Sequence, residues 1–220
     1  MTDLKAYRAA ARSWLEGHVA EFGREARRGL TPEDDLALGR RYMAAKYDAG
    51  YSGIAWPIEH GGQGLTPIEK LIFDREEIVH GFPTEYFTIS LGMPVPIMLR
   101  NLPDGWKQER AIAALRGEQI WCQMFSEPAA GSDLAALRTR AVQDPETGDW
   151  VLSGQKLWTS WAHHADYGVI VARSDPAEAK HRGLTYFWVD MRAAGVSVRQ
   201  ITLAAGDAHV NEVFFDEVRI

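Results

Sequence analysis

Trp121-Cys122-Gln123-Met124-Phe125-Ser126-Glu127-Pro128-Ala129-Ala130-Gly131-Ser132-Asp133-Leu134 stands just past the point where the hydrophobic period of the chain changes. Upstream, Leu4, Tyr7, Ala11, Trp14, Leu15 and His18 recur at three- and four-residue steps, the signature of one amphipathic helical face. Downstream of Gly117 the chain alternates and fills with β-branched and aromatic residues. Helices followed by strands predict an α+β chain of two layered domains rather than a βαβ unit. The expected arrangement is an N-terminal all-α helical domain over 1–117 followed by an antiparallel β-barrel-like domain over 118–220.

Local signals refine that division. Thr31-Pro32-Glu33-Asp34 reads as a helix start, with Thr31 as N-cap and acids in the first turn, and the helix should run to about Gly50. Thr66-Pro67-Ile68-Glu69 repeats the device, with Glu69 placed to close a capping box on Thr66. Shorter helices are expected around Glu85–Leu91, Ile97–Asn101 and Lys107–Arg116, separated by Pro94, Pro96 and Pro103. The clearest strands are Ala165–Arg173, Leu184–Met191, Val196–Ile201 and Val213–Ile220, with a turn at Asp144–Asp149 between two more.

Bulk properties exclude some functions. The net charge of −6, with no long stripe of arginines, argues against a nucleic-acid partner. Arg24, Arg27 and Arg28 read as a solvated turn complementing a helix end. Cys122 is the only cysteine, so no internal disulfide can form, and it reads as a small core residue. No apolar run reaches the roughly 20 residues that span a bilayer, which argues against membrane insertion. The N-terminus has no secretory pattern, and a reducing cytoplasm is the expected compartment.

Several motifs fail on context. Gly62-Gln63-Gly64 lacks the third glycine and the leading strand of a dinucleotide loop. Glu77-x-x-His80 has no second pair to complete a di-iron site and reads as a polar pair. His163 and His164 point opposite ways if extended, so no metal site is expected. What survives is the Gln123–Ser160 region. A flat ring with a hydrogen-bonding edge needs a wall and donors: Trp158 offers the wall, and Ser126 and Ser160 offer hydroxyls. Ala129, Ala130 and Gly131 would let the backbone approach a ligand. Taken without any resemblance, the same residues read rather as a Pro-containing turn and a β-strand with a buried tryptophan.

Three ordered stretches resemble the acyl-CoA dehydrogenase family: Ala55–Thr66, Trp121–Leu134, and Gly154-Gln155-Lys156-Leu157-Trp158-Thr159-Ser160. The resemblance implies FAD as cofactor, with Gln123, Phe125, Ser126, Gly131 and Ser132 along it and Ser126 at the pyrimidine end. It implies that Trp158, Thr159 and Ser160 pack on the ring, with Ser160 bonding N5, and that Ser132 also touches the bound acyl-CoA. Glu127 and Asp133 are then structural. Ser126, Ala129 and Ser160 depart from the common threonine, glycine and threonine but keep the hydroxyl or the small size. Gln123 stands where an aromatic is common. The implied reaction is α,β-dehydrogenation of an acyl-CoA thioester, with an electron-transfer flavoprotein or similar acceptor and a homo- or hetero-oligomer as assembly. The family's base is a glutamate of its C-terminal helical domain, which is expected beyond Ile220. No catalytic residue is therefore assigned in 1–220, and little activity is expected of these residues alone. A flavin-dependent monooxygenase or oxidase of the same fold, and a non-catalytic partner subunit, are the alternatives.

Overall fold

The computed structural model describes residues 3–101 and 104–220 and divides the chain into two units, Met1–Gln119 and Ile120–Ile220. The first is helical: α1 (Leu4–Phe22), α2 (Pro32–Asp48), α3 (Pro67–Glu77), α4 (Glu85–Gly92), α5 (Pro94–Asn101) and α6 (Asp104–Leu115), with 3₁₀ turns at Ile58–His60 and Ile78–His80. The caps form as the sequence predicts. Thr31 Oγ1 accepts from the Asp34 amide at 3.1 Å. Thr66 and Glu69 close a reciprocal capping box ahead of α3. Helix α5 begins earlier than expected because Pro94 and Pro96 occupy its first turn, where a missing N–H leaves no intrahelical bond unmade. Pro103, read as a separator, lies outside the described residues.

The aromatic rings of Trp14, Phe22, Tyr42, Tyr51, Phe73 and Phe82 pack together between the helices. Leu15, Met43, Phe87 and Leu115 are fully buried around them. Two pairs fix helix to helix. Glu76 on α3 accepts from Arg8 and Arg12 on α1. Arg27 does not lie in a solvated turn as expected. It forks onto both carboxylate oxygens of Asp35 at 2.7 and 2.6 Å and also meets Glu85 and the Gly81 carbonyl. A guanidinium's planar donor fork suits this convergence of acceptors from three segments. In the loop ahead of α3, Gly62 is required: a Cβ there would stand 2.3 Å from the Trp56 carbonyl oxygen.

The second unit is one seven-stranded sheet of β1 (Trp121–Met124), β2 (Arg140–Gln143), β3 (Trp150–Ser160), β4 (Tyr167–Arg173), β5 (Leu184–Asp190), β6 (Val196–Ile201) and β7 (Val210–Arg219). Its order is β1-β4-β2-β3-β7-β6, with β5 also paired to β4. Most pairings are antiparallel, as expected. Two are not: β1 runs parallel to β4 throughout, and β2 meets β4 in parallel at Arg140 and Arg173. The β2–β3 hairpin lies between β1 and β4 in sequence and supplies the long return that parallel pairing demands. Cys122, Met124, Ile170, Val189 and Phe215 share one buried cluster. Burial pushes the Cys122 thiol up to about 12, so it stays neutral within that core. No helix among the described residues is long and apolar enough to cross a membrane.

Candidate functional site

Strand β1 carries Gln123 and leads into the loop Phe125–Asp133. Its pairing sets Gln123 opposite Val169 of β4. The loop then doubles back in a tight turn, with Glu127 N–H donating to the Ala130 carbonyl at 2.7 Å and Ala130 N–H to the Glu127 carbonyl at 3.1 Å. Pro128 and Ala129 occupy the tip and are exposed.

A buried ion pair anchors this loop. Lys156 of β3 has no exposed side-chain surface, yet its three donors are satisfied: Glu127 Oε1 at 2.8 Å, the Val171 carbonyl at 2.8 Å and the Phe125 carbonyl at 3.2 Å. The Glu127 carboxylate also accepts from the backbone amides of Arg138 at 2.6 Å and Thr139 at 3.0 Å. Burial acts to raise the Glu127 carboxyl, but Lys156 and these donors outweigh it and hold the group below the usual carboxylate range. Burial pulls the Lys156 ammonium below the usual lysine value, and the Glu127 charge offsets part of that. Glu127 is thus an architectural group. Asp133 is exposed, and its carbonyl accepts from Ala136 in the following 3₁₀ turn.

The anchored loop lies against the middle of β3, where the Leu157 amide donates to the Ser126 carbonyl at 2.8 Å. One residue further on, the strand breaks its pleat. The register with β7 shifts between Lys156 and Thr159, and Trp158 takes a φ of +61°. A regular strand would have placed Trp158 and Ser160 on one face by simple alternation, and the bulge replaces that pattern. The bulge inserts a residue, so that Lys156 and Thr159 both turn inward although they are three apart. Trp158 is turned out instead, with 56% of its surface exposed.

Sequence reading places eight residues at a cofactor, and the structure separates them. Gln123, Phe125 and Ser126 stand beside the Trp158–Ser160 segment through the Ser126–Leu157 bond. Phe125 sits edge-on to Tyr186 of β5 at 6.0 Å. Thr159 is 1% exposed, and its carbonyl accepts from Asn211 Nδ2 at 2.8 Å, so its side chain belongs to the interior. Gly131 and Ser132 lie beyond the tight turn and are exposed. Sequence reading missed Lys156 and Asn211. Lys156 occupies an inward phase of β3 shared with Leu152, and a lysine at a core phase is the signal that was there to find.

His163 and His164 are not extended. They lie on the 3₁₀ turn Ala162–His164, with ring centroids 4.0 Å apart, and His163 Nδ1 meets Asn211 Oδ1 at 2.9 Å. Among the described residues no group of three or more His, Cys, Asp or Glu could hold a metal.

The side chains present fit a flat ring with a polar edge. Gln123 Oε1 is buried without a hydrogen-bond partner. The hydroxyls of Ser126 and Ser160, both half-buried, make no hydrogen bond among the described residues. Beside them the Trp158 indole offers an open face.

Comparison with known proteins agrees with this architecture. In a solved structure, the ChsE4–ChsE5 complex from Mycobacterium tuberculosis, one chain superposes with a TM-score of 0.80 at 30% identity, over 100% of this chain and 54% of that one. Helices leading into a bulged, loop-anchored mixed sheet are thus an architecture that this chain shares with that one. Residues 122–218 match the acyl-CoA dehydrogenase middle domain. Acyl-CoA dehydrogenase FadE34 of M. tuberculosis is 41% identical over 86% of this chain and 27% of its own length. Acyl-CoA dehydrogenase IpdE1 of the same organism is 36% identical over 100% of this chain and 57% of its own. The chain belongs to the acyl-CoA dehydrogenase family, and it spans just over half of IpdE1 and about a quarter of FadE34.

Proposed function

We propose that the chain serves FAD-dependent α,β-dehydrogenation of an acyl-CoA thioester, with Gln123, Ser126, Trp158 and Ser160 holding the flavin. The observation that carries this reading is the outward Trp158 indole, set on a left-handed bulge beside a loop that an ion pair fixes in place. The bound flavin would supply the hydride acceptor. The residues of this chain bind and orient it. Trp158 covers one face of the ring, the hydroxyls of Ser126 and Ser160 and the Gln123 amide meet its polar edge, and Lys156 keeps the loop at a fixed distance from the strand. Ser132 extends the exposed part of the loop toward the thioester substrate. An electron-transfer flavoprotein or similar acceptor then takes the electrons, and a mixed oligomer is the proposed assembly. The relative solved as a ChsE4–ChsE5 complex supports the last point.

Flavin titration and stopped-flow reduction of the full-length protein test the reading. Ser160→Ala should slow flavin reduction by acyl-CoA about tenfold, the worth of one hydrogen bond to a polar ring edge, while FAD affinity stays near the parent value. Trp158→Ala should weaken FAD retention more than it slows reduction, because it removes wall area. A parent protein that takes up no FAD would overturn the proposal.

A further inference from the structure

Strand β3 ends in a segment that its own backbone preferences would not hold. Trp158 and Trp161 both take left-handed conformations, with φ of +61° and +58°, and they bracket Thr159 and Ser160. Residues with a Cβ rarely adopt that region, and such residues persist there only where the surroundings impose it. The corner between β3 and β7 supplies the constraint. Thr159 is paired with Asn211 and Ser160 with Val210, and the Trp161 amide donates to the His209 carbonyl at 2.7 Å. The Trp161 indole lies among the imidazoles of His163, His164 and His209, with ring centroids 6.0, 6.1 and 5.5 Å away.

Asn211 joins these pieces, and it is wholly buried. Its Nδ2 donates to the Thr159 carbonyl at 2.8 Å and to the His209 carbonyl at 3.3 Å, while Oδ1 lies 2.9 Å from His163 Nδ1. The reverse orientation of the amide would press its oxygen against two carbonyl oxygens, so the end facing His163 is the oxygen. An amide oxygen only accepts. His163 Nδ1 therefore carries the proton, and the neutral ring is the Nδ1–H tautomer. The Thr159 hydroxyl, buried without a partner among the described residues, takes no part in this hold.

We propose that Asn211 and His163 are positioning residues for the flavin contact. The Asn211 amide, oriented by His163 Nδ1–H, fixes the Thr159–Ser160 peptide between its two left-handed neighbours and so aims the Ser160 hydroxyl. This rests on the reading of Ser160 as a flavin contact. The bulge is then held at both ends: Lys156 ties its start to Glu127, and Asn211 ties its finish to the turn that carries His163. Without the Nδ1 donor the amide loses its orientation, the Thr159 carbonyl loses its partner, and the segment relaxes toward an ordinary strand end.

Two measurements on the full-length protein test this. In the flavin-free form, long-range proton–nitrogen correlation spectra should show neutral His163 protonated on Nδ1. Protonation on Nε2 would overturn the proposal. In the FAD-loaded form, stopped-flow reduction by acyl-CoA is read as a double-mutant cycle between His163→Leu and Ser160→Ala. His163→Leu should slow reduction about tenfold alone but less than about twofold in the Ser160→Ala background, because residues that act through one contact do not add. His163→Asn, whose side-chain nitrogen reaches the place of Nδ1, should restore most of the lost rate, and His163→Gln, whose nitrogen reaches the place of Nε2, should not. An equal loss in both backgrounds would mean that His163 only supports the fold, and would overturn the proposal. A parent protein that takes up no FAD removes the flavin reading and this role with it. FAD taken up and reduced at the parent rate by His163→Leu overturns the positioning role alone. If His163→Leu does not fold, the tautomer and the contrast between the Asn and Gln variants decide.

Discussion

At the scale of single residues, Lys156 and Trp158 divide the work of building the site. Lys156 is a charge inside a sheet, tolerable because three oxygens surround it and one of them is ionised. Removing one member of such a pair leaves the other charge buried alone, which typically costs about 3–5 kcal/mol. Lys156→Met should therefore lose stability in that range in urea unfolding, and Lys156→Met/Glu127→Gln should recover part of it, since no bare charge remains. A loss below ~1 kcal/mol in the single variant would mean that water reaches Glu127 when the lysine is gone. Trp158 carries the opposite balance. Its left-handed backbone costs roughly 1–2 kcal/mol for a residue with a Cβ, while its indole is more than half exposed and contributes little burial. Trp158→Gly should thus leave the stability of the flavin-free protein unchanged or raise it slightly, while sharply weakening FAD uptake. A clear fall in melting temperature without flavin would show that the indole supports the fold rather than a ligand.

At the scale of elements, α1 is held to α3 by Arg8 and Arg12 on the Glu76 carboxylate. Hydrogen bonds from Arg12 and Arg8 bring that carboxyl from its ordinary 4.5 down to about 2. The sign of the pH dependence follows. A depressed carboxyl stabilises the fold above its unfolded value and loses the contribution as pH falls through the folded one. The stability difference between parent and Glu76→Gln should be full above about pH 5 and close between pH 4.5 and 2. Both arginines are about half exposed, so added salt should narrow the same gap. Denaturation curves across pH 2–7 check this, and a gap constant with pH would mean that Glu76 acts by packing and not by charge.

At the scale of the whole molecule, the chain divides into two units, Met1–Gln119 and Ile120–Ile220. The largest cluster of the sheet unit draws on residues between Cys122 and Ile220 alone, and the Lys156–Glu127 anchor is internal to it. A unit with its own core and its own satisfied charges has what independent folding requires. Residues 120–220, expressed alone, should give a cooperative thermal transition and dispersed amide resonances. A collapsed spectrum without a transition would mean that the sheet depends on the helical unit for its packing.

Much of this architecture is local and so is written in the sequence. Thr31 and Thr66 start helices because their hydroxyls meet the free amides of the following turn, a short-range effect that any chain context preserves. The change of hydrophobic period after Gly117 likewise announces the strands, because a two-residue repeat can bury only one face of an extended chain. The pairing of the Ser126 and Trp158 stretches was legible as a resemblance. Other features depend on partners distant in sequence and stayed hidden. The parallel match of β1 with β4 is set by where the β2–β3 hairpin returns the chain. Arg27 reads as a surface charge until Asp35, Gly81 and Glu85 converge on it. The bulge at Trp158 follows from two tertiary demands on β3: Lys156 must face Glu127, and the Thr159 side chain must enter the interior while its carbonyl meets Asn211, and a strict alternation cannot point both inward. Sequence thus determined the elements and the candidate wall residue. The tertiary structure alone decided which way that wall faces, because only packing across the sheet can force an extra residue into a strand.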